Sequence, residues 1–363
     1  MNKDRLPKVS VVIPLFNQAQ YLPEAVESVL DQTYHDFEII VVDDGSTDES
    51  FAAARQYGEK TRYIRQEKTG LGGARNTGIK ASQGELIGLL NADDRWLPTY
   101  LETMVRLADE NPEAAVYYCC AQAMDEHSND LPQIFGGKSL PVKLMYESLL
   151  RANILIPSTV LVRKAIVSAA GLFDQTLRDI DSCEDWDLWL RIAPKHDFVG
   201  VPMRLTRYRL YGNTVSSPLT GVQTAVRAVI EKHFGPDDGQ WHMWSDEKRR
   251  AYGGVYRFYL LNLVKRQNNW RSAAGYFRMA LERDPDLAGD LDLFYDLALG
   301  SQPAQYRGSP ERLDLEKNAA HIEEILAYAF SAYFEPPLTP LKQQTYGTAY
   351  HALGLVAYNA GQL

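Results

Sequence analysis

Three acidic clusters are the candidates for chemistry. In Leu89-Leu90-Asn91-Ala92-Asp93-Asp94-Arg95-Trp96, the apolar run Leu86 to Leu90 stops at two adjacent carboxylates, the pattern of a buried strand emerging from a sheet. Carboxylate oxygens are the hard ligands that Mg²⁺ or Mn²⁺ prefers, and such a cation needs few of them when substrate phosphates complete its shell. The plainer reading is an acidic turn capping a helix opened by Pro98. Asp43-Asp44-Gly45-Ser46 repeats the arrangement two strands earlier. Part of it is a strand-to-helix turn, with Ser46 and Glu49 at capping-box spacing, but two carboxylates exceed what a cap needs. The third cluster, Cys183-Glu184-Asp185-Trp186-Asp187-Leu188-Trp189, opens a helix. Leu188, Trp189 and Ile192 have core-facing spacing, and Glu184 and Asp185 fall where free backbone N–H groups stabilise negative charge. One such cluster reads as a helix start; three in one domain read as a site.

The elements that must carry these clusters alternate. Val9–Ile13, Phe37–Val42, Arg62–Ile64, Leu86–Leu90 and Ala115–Cys119 read as strands, separated by amphipathic stretches at Leu22–Leu30, Glu49–Tyr57, Gly73–Ser82 and Pro98–Ala108. This is the layout of an α/β domain with a mainly parallel sheet, in which ligands bind beyond the carboxyl ends of the strands. Pro14-Leu15-Phe16-Asn17, Asp43 to Ser46 and Asn91 to Asp94 all lie there. A strand at Thr159–Val162, helices near Lys164–Ala170 and from Glu184, and an extended Phe198–Tyr208 complete the same domain, with Asp125 to Gly137 as a polar loop at the cleft edge.

Past Thr220 the pattern is helical. Lys248–Lys265 and Trp270–Arg283 form a pair broken at Gln267-Asn268-Asn269; the segment Ala273 to Leu281 resembles the second helix of a tetratricopeptide repeat, and Tyr350 to Tyr358, followed by Gly361, the first. Asp290–Glu335 fits no clean repeat period. The chain ends where a further helix of such a repeat is expected. The domain expectation is a catalytic part over residues 1–220, nucleotide-binding in 1–120 and acceptor-binding with the base in 121–220, then a helical, tetratricopeptide-like region over 221–363 that offers a groove to a protein partner.

Composition narrows the class. With 45% hydrophobic and 23% charged residues the chain is ordinary globular protein, and a net charge of −9 without a basic block argues against nucleic acid. Cys119, Cys120 and Cys183 make neither a disulfide framework nor a zinc pattern, which fits a reducing cytosol. Met1 to Lys8 is not a secretory signal, and no stretch reaches the roughly 20 apolar residues of a spanning helix, so any membrane attachment is expected to be peripheral. Gly70-Leu71-Gly72-Gly73-Ala74-Arg75 begins like a dinucleotide fingerprint but puts Arg75 at the third glycine and follows the third strand, which disfavours an oxidoreductase.

In order along the chain, Val9 to Asn17, Val41 to Asp48, Gly73-Ala74-Arg75-Asn76-Thr77-Gly78, Asn91 to Trp96 and Glu184 to Trp189 resemble the motifs of a family 2 glycosyltransferase of the GT-A fold, over about Lys8 to Ser217. The resemblance implies an inverting transferase that moves a sugar from a nucleotide diphosphate sugar, most often a UDP-sugar, to an acceptor hydroxyl on a glycan, lipid-linked or protein acceptor, in polysaccharide or glycoconjugate assembly. It implies Pro14, Phe16 and Asn17 at the base, Asp44 accepting from uracil, Arg75 bracing the nucleotide, and Asn91, Ala92 and Asp93 as the Asp-x-Asp loop. Asp93 would hold a divalent cation, Mn or Mg, and Asp185 would be the catalytic base, with Glu184 and Trp186 on the acceptor side. Two departures stand out: an amide, Asn91, at the first acidic position, and Tyr211 where many members carry a His. Arg209 is then expected as a fixed cation near the diphosphate, its alternative being a surface charge. Trp96, Trp186 and Tyr211 have faces that suit a pyranose, with core packing as the alternative and Trp186 the better acceptor candidate. The departures motivate a second reading, a weak or inactive nucleotide-sugar-binding scaffold acting through its tail.

Overall fold

The structure, a computed structural model, describes residues 6–136, 140, 142–177, 183–211, 219–301, 313–331 and 338–360. Its first part runs β1 (Val9–Leu15), α1 (Leu22–Leu30), β2 (Phe37–Asp43), α2 (Ser50–Arg55), β3 (Arg62–Arg65), α3 (Leu71–Ala81), β4 (Leu86–Leu89), β5 (Arg95–Trp96), α4 (Tyr100–Glu110), β6 (Val116–Met124), β7 (Asp130–Phe135), α5 (Val142–Arg151), β8 (Val160–Arg163), α6 (Lys164–Ala169), α7 (Glu184–Ile192) and β9 (Phe198–Arg209). The second part is helical: α8 (Leu219–Phe234), α9 (Asp246–Gln267), α10 (Trp270–Arg283), α11 (Leu291–Leu299), α12 (Leu315–Ala329) and α13 (Thr339–Asn359). This is an α/β GT-A fold followed by a helical tail. The chain divides into two compact units, Met1–Leu149 with Asn153–Ser217, and Leu150–Ala152 with Pro218–Leu363.

The sheet is mixed, in the order β3-β2-β1-β4-β8-β6-β9-β5, with β7 beside β6. Strands β1 to β4 are parallel neighbours, whereas β8 is antiparallel to β4 and β6. All seven residues of β1 are buried, as expected of a central parallel strand covered on both faces. On one face Val9, Val11 and Ile13 pack with Val26 and Val29 of α1 and Met104 of α4. The opposite face carries Ile40, Val42 and Ala74, and Gly78 of α3 lies so close to Val12 that any Cβ would overlap it.

The structure corrects several details. Asp130–Phe135, inside the expected polar loop, is a strand hairpinned on β6 through a turn in which Asp125 Oδ1 accepts the N–H groups of His127 and Asn129. Its alternation of exposed and half-buried residues, with Pro132 inside, reads as loop because an edge strand needs few apolar positions. Ser46 does not cap α2, whose N-cap is Glu49; its hydroxyl instead accepts from Asn17 N–H. Helix α4 begins at Tyr100, beyond Pro98. In the second unit Asn268, with φ +49°, and the capping side chain of Asn269 make the turn between α9 and α10. The helices from α9 to α13 have 22, 14, 9, 15 and 21 residues, so no constant repeat length emerges among the described residues. No helix among them is long and apolar enough to cross a membrane.

Candidate functional site

Strand order sets the position of the site. From β1 the chain moves outward to β2 and β3, then returns to place β4 on the other side of β1. Such a reversal opens a crevice at the carboxyl ends of the central strands.

Pro14 lies buried within β1, and Phe16, 38% exposed, follows it with Lys68 Nζ 3.9 Å from its ring centroid. Asn17 adopts φ +51° and uses its side-chain oxygen to accept Thr47 N–H at 2.8 Å, so it ties the loops after β1 and β2 together. Asp44, 3% exposed, organises the entry to α3. Its Oδ1 accepts from Gln66 Nε2, Thr69 N–H and the Thr69 hydroxyl, and its Oδ2 accepts from Gly70 N–H at 2.8 Å. A carboxylate offers about four lone-pair sites, and among the described residues Oδ2 accepts this single bond. Gly73 makes this possible, because a Cβ there would overlap the Thr69 hydroxyl.

The loop after β4 splits its two acids. Asp94, 1% exposed, is turned inward: its Oδ2 accepts from the Ser158 hydroxyl and its Oδ1 from Arg209 N–H at 2.9 Å. Burial, then the neighbouring Asp93 charge, raises its pKa well above the usual carboxylate range. Asp93 is half-buried, and its Oδ2 accepts from the Tyr211 hydroxyl at 2.7 Å. Ala92 is buried in the core, while Asn91 donates from its backbone to Ser158 Oγ and from its amide to Asp94 Oδ2. Tyr211 therefore packs against Asp93 as a hydrogen-bond donor; its own pKa is raised by burial and by that carboxylate. Gly212 and Asn213, which follow it, lie outside the described residues.

Arg209 is neither a surface charge nor aimed at a ligand. Its side chain is fully buried and bonds Asp93 O, Asp125 O, the Ser128 hydroxyl and Glu24 Oε2, with Tyr21 stacked 4.5 Å away. It clamps the Asp93 loop to the β6–β7 turn. Trp186 is likewise corrected. At 2% exposed, with its indole N–H bonded to Leu149 O at 2.7 Å, it is core and offers no face to a sugar. Trp96 is buried too, stacked on Tyr100 at 3.9 Å.

Helix α7 opens on Cys183, held at φ +80°, and presents Glu184 and Asp185 in its first turn. Glu184 pairs with Arg75 Nη1, and Arg75 Nη2 donates to Asn91 Oδ1 at 2.9 Å, which joins α3, α7 and the β4 loop. Arg75 is 1% exposed and its Nε–H lacks a partner among the described residues. Asp185, 6% exposed, accepts from Asn153 Nδ2 at 3.0 Å. Burial, reinforced by the Glu184 charge and opposed by Arg75, pushes its carboxyl up to about 6. Tyr208 of β9 feels both acidic loops: its pKa, raised mainly by burial, is raised further by the charges of Asp94, Asp93 and Asp185.

The donor set for a metal is small. Among the described residues no group of three or more His, Cys, Asp or Glu could hold an ion. Asp93 has one oxygen bonded to Tyr211 and the other without a donor among the described residues. One outward carboxylate suits a cation that arrives with a diphosphate, and not a resident ion in a protein cage. Sequence reasoning missed Asn153, Ser158, Gln66, Thr69 and Tyr208. These residues are remote in sequence from the acids they touch or face, so only the Gly-rich stretch after Gln66 signals any of them.

Comparison with known proteins gives a consistent result. Residues 10–168 match the model of the family described as glycosyl transferase family 2. An uncharacterized glycosyltransferase of Rickettsia prowazekii is 34% identical over 193 residues, covering 51% of this chain and 58% of that relative. The uncharacterized glycosyltransferase EpsJ of Bacillus subtilis is 33% identical over 184 residues, 48% of this chain and 53% of that one. The chain thus spans little more than half the length of these relatives. Among solved structures, S. aureus TarS 1-349 shares the fold at 16% identity with a TM-score of 0.54, covering 98% of this chain and 92% of that one. Its complex with UDP gives 18% identity and a TM-score of 0.50, with the same coverage.

Proposed function

We propose, from the match of residues 10–168 to the glycosyl transferase family 2 model, that the protein is an inverting transferase that moves a sugar from a nucleotide diphosphate sugar, a UDP-sugar first of all, to an acceptor hydroxyl in glycan or glycoconjugate assembly. The observation that carries this reading is Asp185: a buried carboxyl in the first turn of α7, poised near neutral pH, whose charge acts on Tyr208 together with that of Asp93. An acceptor hydroxyl is a poor nucleophile, and a carboxylate that takes its proton as the new bond forms contributes about 10² to 10⁴ in rate. Asp185 binds that proton, and Asn153 holds the orientation of its carboxylate. With the base on the face opposite the diphosphate, a single displacement inverts the anomeric centre. The crystallised relative TarS binds UDP, which supports the choice of donor nucleotide.

Asp44 keeps one lone pair for the base, Phe16 offers it an exposed ring, and the Arg75 Nε–H, without a partner among the described residues, is left for the nucleotide. Asp93 would hold a divalent cation, Mn or Mg, which when bound supplies Lewis-acid stabilisation of the leaving diphosphate. Residues 1–220 act as the transferase domain, and residues 221–363 present a surface to an acceptor or partner protein. A panel of nucleotide sugars, read by thermal stabilisation and by transfer or hydrolysis with and without Mn²⁺, tests the reading. Transfer from one donor, lost in Asp185→Asn with UDP binding retained, supports it. UDP binding without turnover of any donor favours the scaffold alternative.

A further inference from the structure

Arg75 is a buried cation that, among the described residues, touches both the loop after β4 and the start of α7. It projects from the second turn of α3, donates to Asn91 in the loop after β4, and pairs with Glu184 in the first turn of α7, next to Asp185. The two partners lie 16 and 109 residues away in sequence. We infer that Glu184 is a positioning residue: through Arg75 it holds the Asn91 loop in fixed register with the turn that carries Asp185. The inference rests on the sugar-transfer reading for what the two sides do, and it replaces the acceptor contact expected of Glu184.

Three features of the packing argue for it. The Glu184 side chain is 11% exposed and that of Arg75 1%, so each charge depends on the other, and removing one partner of such a pair leaves an uncompensated buried charge. Pairs of this kind fix geometry better than they add stability. Second, α3 is shaped to reach α7. A Cβ on Gly72, one turn before Arg75, would lie 3.2 Å from Phe173 Cβ and 3.4 Å from Glu184 Cγ, and Phe173 in turn sits 5.3 Å beneath the guanidinium. Third, Cys183 holds a left-handed backbone at φ +80° directly before Glu184, a conformation that persists only where the surroundings over-determine it. The Arg75–Glu184 pair is one tie next to it, and the Asp187 N–H bonded to Cys183 O is another.

Among the described residues, the charged and titratable groups that act on Asp185 are Glu184 on its own helix, Arg75 from α3 and Tyr208 from β9. A double-mutant cycle on the full chain tests the coupling. Glu184→Gln and Asn91→Ala are made singly and together, and each protein is titrated with UDP and unfolded in denaturant. Both residues bond Arg75, so the double variant is expected to fall short of the product of the single losses by about threefold or more in both readouts, and Arg75→Lys is expected to erase the shortfall. Losses that multiply in both readouts overturn the inference. In transfer assays Glu184→Gln is expected to move the acid limb of the pH profile to lower pH, because a negative neighbour of Asp185 is gone, whereas Asn91→Ala leaves it in place; an unmoved limb in Glu184→Gln also overturns it. Should Glu184→Gln fail to fold, Glu184→Asp, which withdraws the charge from Arg75 without deleting it, enters the same cycle. If the wild-type chain binds no UDP and transfers no sugar, the transfer reading falls, while the unfolding cycle still decides the coupling.

Discussion

Replacing Asp185 by Asn separates the chemistry of this carboxyl from its structural role. Asn keeps the shape and can still accept from Asn153, so it stands in for the protonated acid at every pH. The folded-state pKa of about 6 against 3.8 when unperturbed means that the native state binds this proton more tightly than the unfolded chain does. Asp185 therefore favours folding at low pH, and that contribution is lost as pH rises from about 3.8 through about 6. The difference of about 2.2 units, at about 1.36 kcal/mol each, is about 3 kcal/mol. Asp185→Asn should accordingly be more stable than wild type by up to about 3 kcal/mol at pH 8 and no more stable near pH 3.5, as read by urea unfolding across that range. In transfer assays wild-type kcat/KM, which reports the free protein, should fall about tenfold per unit below pH 6 and level off above pH 7, while the variant loses about 10² to 10⁴ of the rate and shows no such limb. A stability difference that does not grow with pH refutes the buried-charge argument. A flat wild-type rate profile from pH 5 to 8 refutes the base assignment.

Gly73→Ala should weaken UDP binding about tenfold or more by calorimetry, because the new Cβ displaces the Thr69 hydroxyl from Asp44 and a hydrogen bond to a charged group contributes about 1.5 to 3 kcal/mol; unchanged affinity would remove Thr69 from the nucleotide site. Trp186→Phe should lower stability by about 1 to 3 kcal/mol, since Leu149 O loses its donor, yet leave acceptor KM within about threefold; a large KM rise in a stable variant would restore an acceptor contact. Arg209→Lys should cost about 1 to 3 kcal/mol in unfolding experiments, because an ammonium cannot reproduce the guanidinium's spread of donors, with UDP affinity little changed. A salt-dependent loss of UDP affinity with stability intact would return Arg209 to the phosphate.

What was legible in the sequence follows from how local each signal is. The buried strands Val9–Leu15 and Phe37–Asp43 announce themselves as unbroken apolar runs because both faces of a central parallel strand are covered. Edge strand Asp130–Phe135 was hidden because one half-exposed face leaves no such run. The same distinction governs the site. Asp44, Asp93 and Asp185 stand at element ends, where a change in hydropathy marks them, and that mark is independent of what they touch. Trp186 and Arg209 carry side chains with two possible destinations, solvent or interior, and the sequence around them is compatible with both. Only tertiary structure decides: Leu149 O claims the indole, and the Asp125 and Ser128 turn claims the guanidinium.

The split between Asp93 and Asp94 shows the principle at its sharpest. The two adjacent acids are indistinguishable by composition, yet Ser158 and the Arg209 backbone, 64 and 115 residues away, draw Asp94 inward and leave Asp93 with an oxygen unclaimed among the described residues. A pair of acids in one short loop cannot both stay charged and buried at low cost, and burial raises the proton affinity of the inner one. The division of labour between them is thus set by partners that lie far along the chain, and it is the reason one outward carboxylate, not two, faces the crevice.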